Sequence, residues 1–74
     1  MDVKPYYTVL TDAWRFFRKY AEQIPLQDSQ WTAEVTEKLA FVEQHTSCRR
    51  LALKLMTAIE DELEHLDREA KRSN

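Results

Sequence analysis

Seventy-four residues without a single glycine make one small domain, and the missing glycine excludes phosphate-cradling loops, dinucleotide fingerprints, EF-hand loops and nucleophile elbows, all of which need it where the backbone turns sharply. One cysteine excludes a disulfide framework within the chain, and a formal charge of −2 gives no general attraction to nucleic acid or anionic lipid. With 43% hydrophobic residues and eight aromatics the chain reads as folded rather than disordered.

The start, MDVKPYYTVL, has no apolar run behind a basic segment, so no signal peptide is expected, and no stretch approaches the ~20 apolar residues of a membrane span. With a lone cysteine, the expected location is cytoplasmic.

The first helix is expected over 5–24. Pro5 suits a first helical turn, where its missing N–H costs nothing, and Pro25 disfavours the helical conformation at Ile24. At ~100° per residue two apolar stripes run side by side. One is Leu10, Trp14, Phe17, Ala21 and Ile24; the other is Tyr6, Val9, Ala13, Phe16 and Tyr20. Together they cover roughly 180°, wider than the ~100° an ordinary amphipathic helix buries. Charged and polar residues fill the rest.

A second helix is expected over 29–45, capped by Asp28 or Ser29, with Trp31, Val35, Leu39 and Val42 as its apolar stripe. Phe41 then falls on the opposite face, among Glu34, Glu37 and Gln44. The weak helix formers of His45-Thr46-Ser47-Cys48 indicate a break, although one continuous helix from Ser29 to Ala70 also fits the residues. The third and longest helix is expected over 48–70, where Met56, Ile59, Leu63, Leu66 and Ala70 keep a heptad spacing and Leu51, Ala52 and Leu55 extend the face. Leu53 points away. The expected fold is all-α, a three-helix bundle spanning 1–74 as one domain.

Charge comes in blocks. Arg49, Arg50 and Lys54 open the third helix with no acid among them, and the second half of that helix is acidic. This order opposes the helix macrodipole. In an up-down-up bundle, pairing of Arg15, Arg18 and Lys19 with the acidic end of helix three, and of the start of helix three with Glu43, accounts for the blocks.

Few residues offer chemistry. His45 and Cys48 are three apart, but a thiol–imidazole nucleophile also needs a pocket, an orienting group and oxyanion donors. Glu62 and His65 make one Glu-x-x-His, half of what a di-metal carboxylate bundle uses, with Glu34 or Glu37 as further carboxylates. Two histidines and one cysteine cannot complete a structural zinc site in one chain. No enzyme activity, metal or cofactor is expected.

Trp14-x-x-Phe17-x-Lys19-Tyr20, followed by Asp28-x-x-Trp31 and a leucine-rich last helix, resembles short uncharacterised helical proteins of phages and prophages of Gram-positive bacteria. The resemblance covers most of the chain and implies a small accessory protein of mobile-element origin; it carries no site residues over. Paired Arg49-Arg50 departs from that pattern.

The residues point to a non-enzymatic protein–protein interaction module. Its partner is a second copy or another protein, with a self-complementary patch of Tyr6, Val9, Phe16, Tyr20 and Phe41 forming a homodimer. The alternative is a small nucleic-acid-binding regulator using Arg49, Arg50 and Lys54. Repulsion of phosphate by the acidic half of helix three disfavours it.

Overall fold

The structure is a computed structural model that describes residues 1–72. It is an all-α fold of three helices, with no strand among the described residues: α1 (Lys4–Ala21), α2 (Asp28–Gln44) and α3 (Arg49–Arg72). At 24 residues α3 is the longest, about 36 Å at 1.5 Å per residue, and sets the length of a molecule measuring 48 × 18 × 16 Å.

Helix α1 begins at Val3, where Asp2 Oδ1 accepts the Lys4 N–H at 3.0 Å, and Pro5 sits in the first turn. It ends at Ala21, three residues before the expected Ile24. The last turn tightens there: the Gln23 N–H donates to Tyr20 O and the Ile24 N–H to Ala21 O, both i→i−3 bonds, ahead of the cis Ile24–Pro25 bond. The cap of α2 is Gln27, in an extended conformation, rather than Asp28 or Ser29. Its N–H donates to Gln30 Oε1 at 2.7 Å, and the Gln30 and Trp31 N–H groups bond back to the Gln27 carbonyl. Helices two and three are separate. His45 leaves the helical region at φ −113°, ψ 51°, and a 3₁₀ turn (Thr46–Cys48) leads into α3.

The order is up-down-up. Lys19 on α1 meets Glu37 on α2, while Asp12, earlier on α1, lies beside His45 at the end of α2. Lys38 meets Glu60, and Leu26 before α2 meets Asp67 near the end of α3. Helices α1 and α2 both pack on α3. They touch each other through long side chains, as in the Phe16–Phe41 ring contact at 6.4 Å.

The core consists of Val9, Ala13, Phe16 and Tyr20 from α1, Leu26, Phe41 and Val42, then Cys48, Ala52, Met56 and Leu63. The α3 face is the expected one, and Leu53 is exposed as expected. The α2 face is not. Phe41 is buried, whereas Val35 and Leu39 of the expected stripe are exposed. The buried arc of α2 lies between its bulky residues Trp31 and Phe41, and the positions in the middle of that arc are Glu34 and Lys38. Burying both ring systems forces the polar residues between them inward.

The expected pairing of charge blocks is also different. Ion pairs among the described residues tie α1 to α2 and α2 to α3. Arg15 and Arg18 pair within their own helix, with Asp12 at 3.7 Å and Glu22 at 4.0 Å.

Candidate functional site

Of the five residues expected at a self-association patch, four are buried inside the single chain: Val9, Phe16, Tyr20 and Phe41. Only Tyr6 is accessible, at 39%. The patch as expected therefore does not exist on the surface. The two stripes of α1 are real, but the fold buries the second and leaves much of the first outside. Size explains the choice. Ala13 sits mid-way along the buried stripe, and Ala52 is buried on α3, which lets the two helices approach closely. The other stripe carries Trp14 at that level.

What faces outward is a row of Val3, Tyr7, Leu10 and Trp14, exposed by 62%, 74%, 50% and 56%. Their spacing of four, three and four continues to Phe17, whose ring lies 6.2 Å from that of Trp14 and which is half-buried against the core. This is the a/d spacing of a helix-pairing seam. Summed over side chains of this size it amounts to roughly 400–500 Å² of exposed apolar surface on one helix face, at the upper end for a monomer.

The basic trio stands apart from this seam. Arg49, Arg50 and Lys54 are exposed, and none has an ion-pair partner among the described residues. They share a concavity of about 320 Å³ with Tyr6, Ser47, Cys48 and Leu51 at the start of α3. Glu62 and His65 are exposed on α3, and among the described residues no three His, Cys, Asp or Glu side chains are grouped to hold a metal ion. His45 closes α2 with its ring 4.5 Å from that of Phe41 and its Nε2 3.1 Å from Asp12 Oδ2, out of line for a hydrogen bond. Cys48 is buried on the 3₁₀ turn, and its backbone N–H bonds to the His45 carbonyl.

Two buried carboxyl groups, neither evident from the sequence as a core residue, occupy the seams around α3. Asp67 accepts the Leu26 N–H and the Lys71 ammonium, each at 2.7 Å. Burial pushes its pKa up, but the Lys71, Leu26 and Trp31 donors outweigh this and hold it below the usual carboxylate value. Glu34 lies on the inner face of α2 with neither oxygen hydrogen-bonded. Burial raises its pKa, with the Lys38 charge opposing and Glu64 adding to the rise. Across the seam the Tyr20 hydroxyl is also buried without a well-formed hydrogen bond. Burial first, then the Glu37 carboxylate beside it and the charge of Glu34, push that phenol up to about 12.

No protein family, curated protein or solved structure matches this chain. Among the described residues no helix is long and apolar enough to cross a membrane.

Proposed function

We propose that this chain is a small non-catalytic helical module that acts by protein–protein contact, and that it associates with a second copy of itself through the outward seam of α1. The observation that carries the reading is the exposed row Val3, Tyr7, Leu10, Trp14 at heptad spacing. Such a row is matched by another helix carrying the same spacing, and a two-fold axis supplies one from an identical chain. A standard interface removes ~800 Å² per partner, and the seam provides more than half of that as apolar area. The module fits the small accessory protein that the resemblance to phage and prophage proteins implies. The buried free thiol of Cys48 accords with a cytoplasmic setting.

Sedimentation equilibrium at micromolar concentration tests the reading. The expected result is a dimer that Trp14→Glu converts to a monomer of unchanged helicity. Phe16→Glu, by contrast, unfolds the chain, because Phe16 packs on Tyr20 and Phe41 at 5.2 and 6.4 Å. A wild-type protein that stays monomeric overturns the self-association.

A second reading has Arg49, Arg50 and Lys54, unpaired among the described residues, in its favour: a contact with nucleic acid at the start of α3. The acidic second half of the same helix repels phosphate and weighs against it. Sub-micromolar, salt-sensitive gel-shift binding to duplex DNA, lost in Arg49→Ala/Arg50→Ala, would establish it over the first.

A further inference from the structure

Glu34 has no solvent exposure, and neither of its carboxylate oxygens has a hydrogen-bond donor. An ionised carboxylate stripped of both water and donors is strongly disfavoured, whereas the neutral acid is tolerated in the same space. The groups facing it come from all three helices. From α1 comes Tyr20, whose buried hydroxyl makes no well-formed hydrogen bond and has the Glu37 carboxylate beside it. On α2 itself Lys38 lies one turn on, and Glu37 stands beside Tyr20 while pairing with Lys19. From α3 come Glu64, which repels a charge on Glu34, Glu60, which engages the Lys38 ammonium, and Asp67 and Arg68, which line the same groove as Glu34. Lys38 is therefore already committed to another carboxylate, and Arg68, though it lines the same groove, donates no hydrogen bond to Glu34.

We propose that Glu34 is a proton-operated latch on α2: as the neutral acid it lets α2 close against α1 and α3, and its ionisation in a more alkaline medium loosens that seam. The sign follows from linkage. Burial and the Glu64 charge raise the folded-state pKa above the ordinary 4.5 against the pull of Lys38, so the folded chain holds this proton more tightly than the unfolded chain does. The stabilisation is fully present below the ordinary glutamate value and is lost as pH rises through the raised one. Trp31, one turn before Glu34, and Lys38, one turn after, lie on the same face and mark the segment that responds.

Two measurements on the full chain test the latch. Urea unfolding followed by helical circular dichroism, between about pH 4 and pH 9, compares the wild type with Glu34→Gln. The expected result is that the folded-to-unfolded ratio of the wild type falls relative to the variant, by up to about tenfold per pH unit between the ordinary glutamate value and the raised one, and levels off above it. Carboxyl ¹³C NMR of the wild type needs no variant. Glu34 is expected to titrate above the ordinary glutamate range, with the hydrogen exchange of amides 31–38 accelerating beyond its intrinsic pH dependence at the same midpoint. A Glu34 that titrates in or below the ordinary range, or amides 31–38 that ignore its titration, overturns the proposal. So does a wild-type-to-Gln ratio that is constant with pH.

Discussion

Asp67 and Glu34 are both buried carboxyl groups in a seam with α3, and the two seams treat them in opposite ways. At the corner where the α1–α2 connection meets α3, Asp67 is given donors: a backbone N–H, an ammonium and the Trp31 indole. In the middle of α2, Glu34 is given none. Burial is equally complete, so the difference lies in what else the local chain must satisfy. The Leu26 N–H is a buried backbone donor outside any helix and needs an acceptor, which Asp67 supplies. The backbone around Glu34 is helical and satisfied by its own ladder, so it has no N–H to offer. A carboxylate can be buried at low cost where a loop has an orphan donor, and only as an acid where a helix does not.

The largest effect expected from breaking this contrast is at the corner. Asp67→Ala removes the acceptor and leaves the Leu26 N–H buried and unpaired, at a cost of about 2–4 kcal/mol from a charge-assisted bond lost and a donor orphaned. Urea unfolding at neutral pH reads this directly. In the wild type the contribution of Asp67 is present above the ordinary aspartate value and is lost as acid carries the pH down through its lowered folded value. Its pH dependence therefore runs opposite to that of Glu34.

Next in size, and opposite in sign, is Glu34→Leu. An apolar side chain of similar volume ends the desolvation of the carboxyl without stranding a donor, so the variant is expected to be more stable than the wild type by about 1 kcal/mol at neutral pH. The gain should shrink in acid, where the wild-type carboxyl is already neutral. Unfolding midpoints at two pH values decide it. A Glu34→Leu protein less stable than the wild type at every pH would show that the seam uses the carboxyl after all.

How far the sequence revealed this depends on how cleanly each helix sorts its residues. In α3 the apolar positions outnumber all ambiguity, and its buried face was legible from Met56, Leu63 and their neighbours. In α1 both stripes were legible, but not which one the fold would bury. That depends on how closely α1 and α3 approach, a tertiary fact for which Ala13 was the available signal. In α2 the stripe of Trp31, Val35, Leu39 and Val42 pointed one way and Phe41 another; Val42 and Trp31 do pack in or against the core, while Val35 and Leu39 misled. The bulk of the Trp31 and Phe41 rings decides the orientation, and the bisector between them contains Glu34 and Lys38. Asp67 left no trace, because nothing in an acidic helix end distinguishes the one carboxylate that will meet a loop N–H forty-one residues earlier.

The smallest expected effect separates the two kinds of donor at the Asp67 corner. Lys71 donates to Asp67 Oδ2 while Leu26 donates to Oδ1, both at 2.7 Å, so distance alone does not rank them. Exposure does. The Lys71 side chain is 53% exposed, so its charge is screened by water and its long stem loses rotamer freedom on pairing, whereas the Leu26 N–H has no access to water in exchange. Lys71→Ala is therefore expected to cost no more than about 0.5 kcal/mol, the usual worth of an exposed pair one helical turn apart. The loss should fade further in 1 M salt, at which the screening length is only about 3 Å. If Lys71→Ala instead destabilises as much as Asp67→Ala, the ion pair holds the corner, and the contrast with Glu34 rests on a missing cation rather than on a missing backbone donor. Urea midpoints of the two variants, measured side by side at low and high salt, distinguish these outcomes.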